Sequence, residues 1–214
     1  MTDEVLAEQV SYYRRRAAEY DATAYGDVAT AANRIERLVE QMQPCGAVLE
    51  IACGTGMWSA ALARRASTLT AVDAAPETIE VARSRVVLPN VTFEVADIFT
   101  WTTSRRFDVI FFSAWLSHVP TSRFDQFWAL LRPMLADGGR VLFIDEHTDE
   151  VHKESYTESG GEMIERTLLD GSRFHIVKNF VDPDHLTTRL ERLGWHSRID
   201  RDGSDWVRGE ARPQ

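Results

Sequence analysis

Val48-Leu49-Glu50-Ile51-Ala52-Cys53-Gly54-Thr55-Gly56-Met57-Trp58 is an apolar strand that runs directly into a glycine-rich turn and then a helix, and the rest of the chain is organised around it. Val48, Leu49 and Ile51 supply the strand, Gly54 and Gly56 let a ligand approach the backbone closely, and Trp58 to Arg65 reads as the helix. Loops of this kind bind nucleotide-type cofactors. Glu50 refines the reading, because a carboxylate near the strand end repels a pyrophosphate and suits an ammonium or sulfonium group. The third glycine of the dinucleotide fingerprint is also missing. Met57 and Trp58 stand where small residues would bring a phosphate onto a helix N-terminus. Glu50, Ala52, Gly54, Gly56 and Trp58 are the candidate cofactor contacts of this loop.

Two further strands end in acids. Thr68 to Pro76 begins as a buried strand that ends at Asp73, 17 residues beyond Gly56, the spacing at which a βαβ unit presents an acid to ribose hydroxyls. Asp73, with Ala74 beside it, is the candidate ribose contact. Val91 to Val95 leads to Ala96-Asp97-Ile98, a third strand end that resembles the adenine site of the S-adenosylmethionine-dependent methyltransferases, a likeness that implies Asp97 and Ile98 meet the purine. Any one such acid would read as a turn residue or a helix cap; the ordered set of three resembles the motifs of the S-adenosylmethionine-dependent methyltransferases with a Rossmann-like fold. The resemblance implies S-adenosylmethionine as cofactor and S-adenosylhomocysteine as product. A nicotinamide dehydrogenase would call for three glycines and a proton donor set for hydride transfer, and the sequence offers neither.

Composition narrows the partners. The chain has 214 residues, 44% hydrophobic and 27% charged, which suits one α/β domain with a sizeable core. A net charge of -9 argues against a broad nucleic-acid footprint. Cys45 and Cys53 form neither a disulfide framework nor a metal motif, and no metal site is expected. The acidic N-terminus is unlike a targeting signal, and no apolar run approaches about 18 residues, so membrane insertion is not expected and a cytoplasmic location is.

Periodicity predicts an α/β fold with a seven-stranded, mostly parallel sheet flanked by helices on both faces. An N-terminal helix over 4–24, the core of a lid spanning 1–25, and a second helix over 28–42 precede strands at 47–51, 68–73, 91–96, 107–113 and 139–145. Helices are expected near 57–66, 76–86 and 121–135, with Asp137-Gly138-Gly139 as the last helix's stop signal. The charged run 148–161 reads as a mobile surface segment. Asp170-Gly171 between 163–169 and 173–180 predicts a β-hairpin, so that 148–180 is an insertion on the substrate side. A helix over 183–193 and strands over 195–200 and 204–211 complete the sheet.

Acceptor recognition falls to elements outside the core sheet. The fourth strand delivers Ser113, Trp115 and His118 to the carboxyl edge, where ligands of open α/β sheets sit. His118 reads equally as a base or anion ligand and as a core histidine bonded to a carbonyl. Arg166 and Lys178, on the two hairpin strands, would form a fork for an oxyanion if their registers pair; otherwise they make a solvated face with Glu165 and Asp182. Three segments, Ser11 to Ala22, Phe111 to Pro120 and Arg166 to Phe180, are similar to a branch of the family that includes phosphonate O-methyltransferases of dehydrophos biosynthesis and mycobacterial fatty acid O-methyltransferases. That resemblance implies a small acidic substrate contacted by Arg166 and Lys178, with Tyr25 and His118 in the same pocket. It implies too that Tyr12, Arg16 and Tyr20 close the N-terminal helix over the cofactor, with Ser113 at the strand edge. The phosphonate enzymes carry histidine where this chain has Ala114, so the expected acceptor is greasier: a small or medium-chain fatty acid, converted to its methyl ester. A phosphonate is the first alternative, and another small-molecule O- or N-methyltransferase or a non-catalytic S-adenosylmethionine-binding protein comes after it. An ionised acid oxygen needs no base to attack a methyl group.

Overall fold

Seven strands form one sheet, and the point at which the order of strands reverses across it fixes where a ligand can enter. The computed structural model describes residues 2–154, 156, 161–203 and 205–214. Its sheet strands are β1 (Ala47–Ile51), β2 (Thr68–Asp73), β3 (Val91–Val95), β4 (Phe107–Ser113), β5 (Leu135–Glu146), β8 (Trp195–Asp202) and β9 (Trp206–Pro213). They lie in the order β3-β2-β1-β4-β5-β9-β8, with the reversal between β1 and β4. The first five run parallel, and β9 runs antiparallel to both β5 and β8. A separate hairpin pairs β6 (Met163–Thr167) with β7 (Arg173–Val177), as Asp170-Gly171 predicts. Among the described residues, no helix is long and apolar enough to cross a membrane.

Strands β1, β2, β4 and the second half of β5 are buried on both faces, which is why they read as continuous apolar runs, whereas β3 at the sheet edge is only partly buried. On one face Phe112, Phe127, Trp128, Phe143 and Trp195 interlock, with Phe112 and Phe143 stacked 5.5 Å apart across neighbouring strands. On the other, α3 (Val28–Met42) and α4 (Met57–Leu62) cover Val48, Leu69, Phe111 and Leu142. Asp27 caps α3 by accepting from the Ala29 and Thr30 N–H groups. Helices α5 (Pro76–Arg85), α6 (Phe124–Leu131) and α7 (Pro183–Arg192) complete the layers.

Three boundaries depart from the periodicity. The N-terminal helix is two, α1 (Thr2–Arg16) and α2 (Tyr20–Tyr25). In a continuous helix Tyr13 and Tyr20 would lie about 10 Å apart along the axis. The break brings their ring centroids to 6.2 Å. The helix before β5 stops at Leu131 and passes through a 3-10 turn, so β5 begins at Leu135 and carries Asp137-Gly138-Gly139 inside a register shift, not after a helix. Thr148–Lys153, at the start of the segment expected to be irregular, is a 3-10 helix, and 155 and 157–160 lie outside the described residues, as does Ser204, the expected start of the last strand.

The hairpin's inner face carries Ile164, Arg166, Phe174 and Ile176. Ile164, Phe174 and Ile176 pack against Tyr12 of α1. Its exit is tied to the main sheet where Val181 N–H bonds the Glu146 carbonyl and Asn179 N–H bonds that of Ser117. These ties bring α1, the hairpin and the ends of β4 and β5 together above the switch point.

Candidate active site

Two chambers meet over the carboxyl ends of β1 and β4. The larger, about 710 Å³, is walled by the residues at the ends of β1, β2 and β3 and by one face of α1. Ala52 and Gly54 come from the first glycine-rich turn, Asp73 and Ala74 from the end of β2, and Asp97 and Ile98 from the end of β3. Ser113 closes the far side. These seven expected cofactor contacts share one wall because parallel strands in register end at the same edge.

The chemistry of that wall suits an adenosyl group. Gly54 has a left-handed φ of +53° with open space where a side chain would project, which leaves room for a ligand against the backbone. Asp73 accepts from Gly54 N–H at 2.9 Å and Ala75 N–H at 2.8 Å, with the Thr78 side chain as a further partner, and these bonds fix its carboxylate on the chamber wall. Asp97 uses one oxygen to cap Phe99 N–H at 2.9 Å and leaves the other to the chamber.

Three members of the loop stand elsewhere. Gly56, at φ +81°, faces Ala82, and a Cβ there would sit 2.9 Å from the Ala82 Cβ, so its smallness serves helix packing. Trp58 is buried against Phe111, with ring centroids 5.3 Å apart, on the sheet face covered by α3. Glu50 is 2% exposed and off the chamber wall, where it accepts from Ser59 Oγ–H at 2.5 Å. Burial pushes its carboxyl up to about 8, so Glu50 is largely protonated at neutral pH. It is a buried hydrogen-bonding acid in this structure, not a carboxylate facing a sulfonium. Strand alternation is the reason: Ile51 and Glu50 point to opposite faces, and Ile51 takes the chamber side.

The smaller chamber, about 330 Å³, lies between α1, the hairpin and the end of β5. Tyr12, Arg16, Arg166 and Lys178 line it, so Tyr12 and Arg16 face this chamber and not the larger one. Tyr13, Tyr20, Ala114 and His118 line both and mark the junction. Ala114 holds a left-handed φ of +47° there, a strained conformation for a residue with a side chain. Tyr25 lines neither chamber; its ring packs 6.0 Å from that of Tyr20 and against the core beneath α3.

His118 is both the core histidine and the pocket histidine. Its Nδ1 lies 2.7 Å from the Val177 carbonyl, which can only accept, so Nδ1 carries the proton. Nε2 then accepts from the Tyr13 hydroxyl at 3.0 Å. Burial, reinforced by Lys178, holds the ring well below the usual histidine range, and it is neutral. Gln9, 3% exposed, donates to the His118 carbonyl and accepts from the Val177 N–H, stapling α1 to that histidine and to its Val177 partner.

The hairpin cations do not form the expected fork. Arg166 stands opposite Phe174, while Lys178 lies beyond the last pair and donates its N–H to the Glu162 carbonyl; the two share a face without facing one another. Arg166 is gripped by both oxygens of Glu154, and Lys178, 3% exposed, is 2.7 Å from Glu146. Glu165 and Asp182 have other work: Glu165 meets Arg173 and Asp182 caps α7. Lys178 also lies 3.5 Å from Ser117 Oγ and offsets the burial that raises the nearby Asp145. Among the described residues, no three His, Cys, Asp or Glu are grouped to hold a metal ion.

Tyr13, Gln9, Glu146 and Glu154 escape sequence reasoning because each acts through a partner 12 to 168 positions away. Comparison with known proteins agrees with the geometry. Residues 48–139 match the model of the methyltransferase domain family. A ubiquinone biosynthesis O-methyltransferase of Xanthomonas axonopodis pv. citri (strain 306) is 31% identical over 169 residues, covering 75% of this chain and 67% of that one. A DhpI–SAH complex superposes with a TM-score of 0.87 at 38% identity, covering 100% of this chain and 98% of that one. A DhpI–SAM–HEP complex gives 0.86 at 38% identity, covering 98% of each.

Proposed function

Given that this chain belongs to the S-adenosylmethionine-dependent class I methyltransferases, and is an O-methyltransferase by its likeness to them, we propose that its acceptor is a compact carboxylic or phosphonic acid seated in the smaller chamber. The observation that carries this reading is the polar wall of that chamber, where Arg16, Arg166 and Lys178 stand beside a junction with the adenosyl chamber. The solved DhpI–SAM–HEP complex lends support through a likeness that runs the length of the chain. In this reading Gly54, Asp73, Asp97 and Ile98 hold the cofactor, and α1 and α2, Thr2 to Tyr25, cover it as part of the same catalytic unit. When bound, S-adenosylmethionine supplies an electrophilic methyl group that an acceptor oxygen takes, leaving S-adenosylhomocysteine.

The protein's own task is positioning and exclusion of water. An ionised acid carries its nucleophilic lone pair at neutral pH and needs no base. His118 suits that role: neutral, fixed in one tautomer and committed on both nitrogens, it orients Tyr13 at the junction and removes no proton. Holding reactants at about 3–3.5 Å in line recovers much of a barrier of this kind. Arg166 and Lys178, each held by a carboxylate, would orient the acid without quenching its nucleophilicity, since only preferential binding of the transition state accelerates reaction.

Ala114 and the apolar patch of Leu6, Val10, Phe99 and Trp115 in the larger chamber favour a second reading, a medium-chain fatty acid. Methyl transfer from labelled S-adenosylmethionine to a panel of short phosphonic, short carboxylic and fatty acids tests both. Turnover greatest on short acids is expected. A rise of about 0.8 kcal/mol in transition-state binding per added methylene would instead establish the fatty acid; turnover of phenols or amines alone would end the acid reading.

A further inference from the structure

The smaller chamber carries charges of both signs, and they are unequally committed. Arg166 is held by Glu154 and Lys178 by Glu146. Arg16, on the same wall, has no carboxylate partner among the described residues: its guanidinium donates to Thr23 Oγ1 and lies over the rings of Tyr20 and Tyr12, 4.7 and 5.6 Å from their centroids. Glu19 lines the same wall and has no cation partner among the described residues; its carboxylate meets only the Leu169 N–H, at 3.4 Å. Arg16 and Glu19 lie at the break between α1 and α2, three positions apart, where Glu19 N–H donates to the Arg16 carbonyl while their side chains form no ion pair. An uncommitted cation and an uncommitted carboxylate, both partly buried, thus face one small chamber.

We infer that the acceptor is a zwitterion, an acid that also bears an ammonium group, with Arg16 holding its oxyanion and Glu19 its cation. This rests on the acid reading above and narrows its substrate class. An acid with no amine would bring one negative charge to a wall where Glu19 stays unmatched, whereas an amino acid or aminophosphonate neutralises both free charges at once. Arg16 and Glu19 add specificity in this account to the orientation that Arg166 and Lys178 give the acid.

Matched pairs of acceptors that differ only in the amine test the inference: 2-aminoethylphosphonate against ethylphosphonate, and β-alanine against propionate. For each, kcat/KM with S-adenosylmethionine and the calorimetric affinity for the protein loaded with S-adenosylhomocysteine are measured. The amine-bearing member should win by roughly tenfold or more in both readouts. Glu19→Gln should erase that preference, and Glu19→Lys should reverse it. Arg16→Gln should weaken both members of each pair. If amine-free acids are bound and methylated as well as their amino counterparts, or if Glu19→Gln leaves the preference intact, the zwitterion is wrong and the acid reading stands. If no acid of either kind is bound or methylated by a protein that binds the cofactor, both fall together.

Discussion

The two chambers are built by opposite means. Most of the larger one comes from strand ends and the turns attached to them, so its contacts are backbone conformations and a few acids local to three consecutive strand ends. The smaller draws side chains from α1, the hairpin and β5, and its charges are set by ion pairs between elements far apart in sequence. A cofactor chamber of this fold is thus specified by motif, whereas an acceptor chamber is specified by which charge neutralises which.

The contrast is most exposed where a buried partner in the smaller chamber is removed. Lys178→Met leaves Glu146 and the buried Asp145 without their cation, and a loss of about 3–5 kcal/mol in unfolding free energy is expected by urea titration. Arg166→Met, at a side chain 32% exposed whose partner Glu154 is 9% exposed, should cost less, about 1–3 kcal/mol for the acceptor left unpaired. Equal costs would mean that burial does not distinguish the two pairs.

The larger chamber's strand offers an acid of opposite behaviour. Glu50 is raised to about 8 in the folded protein from 4.5, so the folded state binds more protons than the unfolded between those values. Its contribution to stability is full below about pH 4.5 and is lost as pH rises through 8. Glu50→Gln should therefore flatten the decline in stability between about pH 5 and 8, with a gain on the order of a few kcal/mol near pH 8. A variant whose pH profile matched the parent would show that Glu50 titrates normally.

The smallest effect is expected at the junction. His118→Gln keeps a hydrogen-bonding side chain beside Tyr13, and turnover on an ionised acid should fall less than about tenfold, with no limb near pH 6.5 in the parent's rate profile. A depressed histidine stabilises the fold above its unfolded value near 6.5, and that contribution is lost as pH falls below it. Abolished turnover in a folded variant would make His118 a base and point to a hydroxyl acceptor.

The architecture is legible in the chain because strand periodicity and glycine spacing are local signals. Asp73 and Asp97 are legible with it, since the end of a parallel strand fixes the edge at which the next side chains emerge. The same motif misplaces Glu50 and Trp58, because it marks the loop but not which face each side chain takes. Arg166 and Lys178 stand out as residues, yet their carboxylate partners do not, because Glu154 and Glu146 carry no pattern that separates them from solvated acids. Tyr13 and Gln9 are equally silent, one of several tyrosines and one polar residue on a helix whose buried face appears only when the hairpin docks on it.

Short segments of the chain are enough to dictate the sheet, its switch point and the cofactor-bearing edge, since alternation of period and turn chemistry are properties of neighbouring residues. Which cations remain free, which tautomer His118 holds and where Glu50 points are settled only once the elements have packed together. Those outcomes depend on burial and on partners from distant elements, because a charge or a proton responds to the whole of its surroundings.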